Sequence, residues 1–211
     1  ATYLRTGVDL AAVERVETYK GPSSTLFGAQ MTSFGGIVNY ITKKPYDHFG
    51  GEIGYTMGSW DLSRMTLDIN TPVKDAEGLL IRLNVARQTE NTFQDQGNSA
   101  TLLIAPSITY QVSDRLKFTL NADFQSAQGI TPAGWITSPT LGLTSFKDLN
   151  LDYRISLNDN SLVSKQASTN VLLDAEYKIS DQWTSQSRYA YSGGSYDDLY
   201  IFDFIWQKLL S

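Results

Sequence analysis

The sequence has no cysteine and only one histidine, His48. Without thiols there is neither a disulfide framework nor a thiolate-bound zinc, and one imidazole leaves no multi-histidine metal site. A basic stripe is missing too. Net charge is −5 and the lysines and arginines are scattered, so the electrostatic footprint that a phosphate backbone requires is absent and nucleic acid is not an expected partner. Long apolar runs are also lacking, whereas a membrane-spanning helix needs about 20 such residues. That excludes a helical span and leaves crossing by strands open. The first residues, ATYLRTGVDLAAV, carry no charged start followed by an apolar core and a small-residue cleavage site, so no signal peptide is expected in them. Either an intracellular protein or an already cut mature chain fits that start.

What is present favours strands. Twelve tyrosines, nine phenylalanines, four tryptophans and sixteen glycines stand against six prolines, a balance that suits a β-rich chain. From Phe49 onward the apolar period is close to two, the spacing of a strand with two different faces. Ile53, Tyr55 and Met57 alternate with Glu52, Gly54 and Thr56, and Met65, Leu67 and Ile69 with Arg64, Thr66 and Asp68. The same alternation runs through Leu79–Ala86, Leu102–Val112, Leu116–Phe124 and Asn170–Ile179, and more weakly through Trp183–Tyr191. Seven such segments, each about ten residues or longer, exceed the five or six usual in a soluble sheet and match tilted strands crossing a bilayer. Short turns at Lys74–Gly78, Ser113–Asp114 and Ser180–Gln182 alternate with longer links, as in outer-membrane barrels. A soluble sandwich with one apolar face is the competing reading of the alternation.

The stretch GPSSTLFG, Gly21–Gly28, invites a phosphate-cradle reading. It fails, because no lysine follows the second glycine as the phosphate-loop pattern demands. Locally the residues predict a strand over Val13–Lys20, a short turn capped by Ser23 or Ser24, and a second strand over Ile37–Thr42. Gly21, Pro22, Gly28, Gly35 and Gly36 read as backbone requirements of that turn rather than as ligand contacts.

The run V-E-R-V-E-T-Y-K-G-P-S-S-T-L-F-G, followed by G-G-I-V-N-Y-I-T-K-K-P, resembles the C-terminal half of the plug of TonB-dependent outer-membrane receptors. Ala29–Phe34 is slightly longer than the commonest plug version and Tyr19 stands where an aliphatic is more usual, departures that resemble siderophore receptors most. The resemblance implies a mainly β chain. Residues 1–45 would be the end of an α+β plug domain, and residues 46–211 about seven antiparallel strands of a transmembrane β-barrel, 22-stranded when complete. It implies, further, that the signal peptide, the first half of the plug and most of the barrel lie outside these residues.

Function follows from the same resemblance. It implies TonB-coupled uptake of a scarce ligand, most simply a ferric siderophore, in the bacterial outer membrane and without enzymatic chemistry. No cofactor or metal is bound directly, the ligand being an iron chelate. TonB with its inner-membrane energising proteins, outer-membrane lipid and the remainder of the same receptor are the implied partners. A glycan or cobalamin importer of the same architecture, or a soluble β-rich carbohydrate-binding or adhesion module, is the alternative. Arg15, with Glu14 and Glu17, matches the plug arginine that in this family pairs with barrel glutamates, a guanidinium geometry suited to carboxylates. Glu52, Arg64, Asp68, Arg82, Asp123, Asp174 and Glu176 fall on the lumen-facing phase. Trp135, Phe146 and Tyr153 in the long link are candidates for ligand contact, against the alternative that they only pack their own loop. His48, in YDHFGG, reads as a structural polar group.

Overall fold

The computed structural model describes residues 8–21, 35–130, 134–136, 152–156, 160–197 and 202–204, with backbone alone at 134–136 and 202–204. A 3-10 turn, Leu10–Ala12, leads into β1 (Val13–Lys20), which pairs antiparallel with β2 (Gly36–Thr42). The pairing closes at Lys20 and Gly36. Gly36, at φ +132°, lies so close to the Tyr19 carbonyl that a Cβ there would collide with it.

Beyond this hairpin the chain forms one large antiparallel sheet. Its strands are β3 (Gly50–Gly58), β4 (Leu62–Pro72), β5 (Leu79–Asn91), β6 (Asn98–Ser113), β7 (Leu116–Ile130), β9 (Val163–Lys178) and β10 (Thr184–Asp197). They lie in chain order, neighbour to neighbour. A short β8 (Gly134–Ile136) pairs in parallel with β11 (Phe202–Phe204) apart from this sheet. The weakest sequence signal, Trp183–Tyr191, falls, apart from Trp183 in the preceding turn, in a strand of 14 residues. Residues 73–78, 114–115 and 179–183 connect strands at one end and 59–61, 92–97 and 131–162 at the other; the expected alternation of short and long holds only at 131–162, since 92–97 is no longer than 73–78 and 59–61 is shorter.

The turn lengths fix the register, and the register fixes the faces. Thr71, Ile81, Ile108, Leu120, Leu173 and Tyr189 stand in one row across six strands. One residue along, Asn70, Arg82, Ser107 and Asn121 stand in the row on the opposite face. Burial is inverted relative to a soluble sheet. Asn70 is 0% exposed and Asn84 2%, whereas Ile53 is 78% and Met57 75% exposed. A face of Ile, Leu, Tyr and Met turned outward, with amides and hydroxyls turned inward, is the pattern of a wall whose outer solvent is hydrocarbon. The soluble-sandwich reading required the apolar face to be covered, and the described residues place nothing over it. No described helix is long and apolar enough to cross a membrane.

The packed core is small and sits on the inward face. Ala12 of the 3-10 turn meets Ala86, Leu103 and Ala105, with Ala11 packed against the group. Small side chains on both sides let the turn lie close to the wall. On this arrangement Leu120→Arg, in the middle of the outward row, should cost about 2–4 kcal/mol. Heat-modifiable gel mobility of the complete protein should show loss of the folded form, while Gln125→Arg on the inward face leaves it in place.

Candidate functional site: the junction between hairpin and wall

Among the described residues, two short segments carry the hairpin's contacts to the wall, one before β1 and one after β2. Asp9 comes first. One of its carboxylate oxygens accepts from the Ala11 amide at 2.9 Å, capping the 3-10 turn. The same carboxylate takes both ends of the Arg64 guanidinium, at 2.6 and 3.1 Å. Arg64 donates a further hydrogen bond to Gln88 at 3.2 Å. A planar fork matched to a carboxylate is the strong form of ion pair, and here it joins residues 55 positions apart.

The second segment, Lys43–His48, lies along β4 and β5 as a strap. Asp68 is its centre. Arg82 donates to both oxygens of Asp68, at 2.8 and 2.7 Å, and the Lys43 ammonium adds a third bond at 2.9 Å. Asn84, its amide nitrogen oriented toward the acceptors around it, donates to Asp68 at 3.2 and 3.3 Å and to the Ala11 carbonyl at 3.2 Å. Arg82 also donates to the Lys44 carbonyl at 2.8 Å and lies 5.2 Å from the Tyr46 ring centre. Asn70 completes the strap through three backbone bonds. It accepts from the Tyr46 amide at 3.0 Å and donates to the carbonyls of Tyr46 at 2.9 Å and His48 at 2.6 Å. Gly50, where β3 begins, leaves room for the Tyr46 phenol, which a side chain there would displace. A Lys43 amide bond to the Ala12 carbonyl at 2.9 Å ties the two segments together.

The residues singled out from the sequence fall in three places. Arg64, Asp68 and Arg82 are brought together at this junction. Glu52 stands opposite Asp68 across β3 and β4. Asp123 accepts from Asn170 at 2.8 Å, Asp174 pairs with Arg188 at 2.6 Å and Glu176 with Lys117 at 3.3 Å, all along the inward face of β7, β9 and β10. Arg15 is apart from these. It pairs with Glu17 on its own strand at 2.7 Å, its side chain 60% exposed, and Tyr19 donates to the same Glu17 at 2.8 Å. Those bonds, that of Arg15 before that of Tyr19, hold the Glu17 carboxyl below its ordinary range. Because its folded value is depressed, the contact is complete above the ordinary carboxylate pKa and fades as pH falls through the lowered one. Glu14 is exposed on β1. Gly21 ends β1 at φ +105°, its amide donating to Gly35 at 3.4 Å. His48 pairs with Asp47 at 2.9 Å and packs on Tyr46, ring centres 4.5 Å apart. Pro22, Gly28 and Phe146 lie outside the described residues, as does the side chain of Trp135, whose backbone is in β8.

A second cluster forms at the long-loop end. Trp60, Phe93 and Tyr153 follow one another at ring separations of 6.5 and 6.2 Å, with the Arg154 guanidinium 5.7 Å from the Tyr153 ring. Two bonds fasten the cluster: the Asp95 amide donates to the Arg154 carbonyl at 2.8 Å, and the Ser156 amide to the Asp95 carboxylate at 2.7 Å. Trp60 and Asp61 both adopt positive φ, 56° and 57°, in a two-residue hairpin turn closed by Leu62 and Ser59. That turn type usually takes Asn-Gly, and a tryptophan there is strained. Tyr153 therefore packs against another loop and not only its own. Among the described residues no group of three or more His, Asp or Glu is placed to hold a metal ion.

Asp9, Lys43, Asn70 and Asn84 escaped the sequence reading. The tight turn between β4 and β5 was a usable signal, since its length sets Asn70 beside Arg82 and Asp68 beside Asn84. Asp68→Ala strands two cations and an amide, and should destabilise the complete protein by about 1–3 kcal/mol, read as a lower denaturant midpoint.

No protein-family model matches the chain. Among curated proteins it is 40% identical, over 54% of its length, to the metal-pseudopaline receptor of Pseudomonas aeruginosa. It is 27% identical over 84% to the ferripyoverdine receptor of the same species, and 32% over 65% to the catecholate siderophore receptor Fiu of Escherichia coli. The chain spans 16%, 22% and 17% of the length of these relatives. In fold it is similar to the outer-membrane ferripyoverdine receptor of P. aeruginosa, with TM-score 0.71 and 22% identity over 87% of this chain and 24% of that one. The ferric preacinetobactin receptor of Acinetobacter baumannii gives TM-score 0.73 and 19% identity, covering 88% and 27%. Each of these relatives is a receptor and none an enzyme. With its outward apolar face and a hairpin fastened to the inward one, the chain matches a fragment of a TonB-dependent outer-membrane receptor of the siderophore type.

Proposed function

We propose that the complete protein imports a ferric siderophore across the bacterial outer membrane, using energy delivered through TonB and its inner-membrane partners. The observation that carries this reading is the pairing of an inside-out sheet with a polar-fastened hairpin on its inward face. A wall open to lipid on one side and to a lodged plug on the other fits gated passage. The receptors to which the chain is similar bind iron or metal chelates by name, and that chelate class is the proposed cargo. The protein itself contributes no metal ligands in this reading.

The plug is taken to end at residue 45, with residues 46–211 beginning the barrel. Arg15, with Glu14 and Glu17, is assigned to a second lock, facing carboxylates on barrel strands other than those described. The exposed position of Arg15 on β1 leaves its guanidinium accessible to them. Gly21, Pro22, Gly28, Gly35 and Gly36 shape the plug turn. Trp135, Phe146 and Tyr153 are assigned to ligand contact at the outer end, where Tyr153 already forms an aromatic face with an adjoining cation, suited to a planar anionic chelate.

Deleting the gene should abolish uptake of radioiron-loaded pyoverdine or catecholate. Normal iron uptake with lost growth on a glycan or on cobalamin would overturn the cargo, and recovery of the complete protein in the soluble fraction would overturn the membrane reading. Arg15→Ala in the complete receptor should admit large antibiotics that the intact receptor excludes. Unchanged antibiotic sensitivity removes Arg15 from the lock.

A further inference from the structure

The hairpin is held to the wall unequally at its two ends, and the inequality has a mechanical meaning. The strap after β2 is fixed by backbone as well as side chain: Asn70, fully buried, holds Tyr46 on both its amide and its carbonyl and also holds the His48 carbonyl. Arg82 adds the Lys44 carbonyl, and the chain then enters β3 at Gly50. The turn before β1 is held by less. Among the described residues its polar contacts to the wall are the Asp9–Arg64 pair and the Asn84 amide on the Ala11 carbonyl, and its apolar seat is the methyl of Ala12. Only one of these contacts reaches its backbone.

Between turn and wall lies a cavity of about 310 Å³. Asp9 and Ala12 border it on one side, Asn84, Ser107 and Asn121 on the other. The ladder between β1 and β2 is continuous from Arg15 to Lys20 and closed at its base by the Lys43 amide on Ala12, so the hairpin can swing as one body. The flexible stem of Lys43 allows its ammonium to stay on Asp68 while the backbone turns.

We propose that the hairpin is a hinged flap. The Lys43–His48 strap is its fixed axis and stays seated on β4 and β5 through a transport cycle, and the Asp9–Arg64 pair is the latch that opens. Arg64 and Asn70 are positioning residues in this scheme and do not touch the cargo. The inference rests on the transport reading for its purpose, but the hinge itself is a property of the resting protein.

Hydrogen exchange of the complete receptor, read by peptide mass spectrometry without any ligand, tests the hinge. Arg64→Ala should speed exchange at Ala11 and Ala12 and leave Tyr46 as slow as in the parent. Asp9→Asn, which retains an oxygen for the turn, should do the same to a smaller degree. If Arg64→Ala speeds Tyr46 as much as Ala11, the two segments open as one unit and the hinge is wrong.

The latch is tested in cells. Among these 211 residues there is no cysteine, so pairs introduced at Asp9 and Arg64, or at Lys44 and Arg82, can be bridged by a short reductant-cleavable thiol crosslinker. Uptake of radioiron-loaded pyoverdine and catecholate is then compared in each variant before and after bridging. Bridging the first pair should stop uptake until reductant is added, and bridging the second should change nothing relative to the same variant unbridged. The reverse pattern, or equal effects, overturns the assignment of hinge and latch. Absence of uptake from every unbridged receptor counts against the transport reading instead, and exchange still decides the hinge.

Discussion

The carboxylate of Asp68 is the contact around which the rest of the junction is arranged. It sits on the inward face of β4, where the lipid on the other side of the wall offers charge no alternative location, and it gathers a lysine from the strap, an arginine from β5 and an amide that also reaches the 3-10 turn. Three elements distant in sequence are thereby brought into one geometry. The net gain from assembling partly buried charges is modest because their desolvation offsets much of the attraction. The larger effect is specificity: a hairpin displaced by one residue along β4 would leave at least one of these groups buried without a partner, so the register of the lodged segment is set by the penalty for error.

The wall was largely legible in the sequence and the junction was not. Alternation such as Met65, Leu67, Ile69 against Arg64, Thr66, Asp68 depends only on the pleat, which every strand shares, and so the lumen-facing phase of Glu52, Arg64, Asp68, Arg82, Asp123, Asp174 and Glu176 follows from local pattern. The strand over Val13–Lys20 was equally local. Asp9 illustrates the limit. It precedes the recognisable motif and is an unremarkable acid beside L-A-A, and its partner is 55 residues away. Lys43 is similar: within the run I-T-K-K-P it is one lysine of two, and its ammonium acquires meaning only when β4 lies beneath it. Arg15 shows the complementary limit: a residue prominent by motif lies, among the described residues, on an intrastrand pair.

The two ends of the sheet handle polar groups differently. At the tight-turn end and along the lumen, side chains satisfy one another in fixed pairs, for example Ser107 with Asn121 at 2.6 Å and Asn170 with Asp123 at 2.8 Å. At the long-loop end, backbone groups of separate loops bond to each other and leave aromatic rings exposed, with Trp60 held in a conformation that costs energy. A strained, ring-bearing rim thus lies apart from the polar junction where the hairpin is held.

That separation follows from where the one long connection lies. Residues 73–78, 114–115 and 179–183 set the register of every strand pair they join, so an insertion there would shift rows of inward and outward side chains together. Residues 131–162 form a link long enough to change in length without shifting those rows. Change in length or sequence can therefore be absorbed at residues 131–162 while the wall and its hold on the hairpin stay as they are.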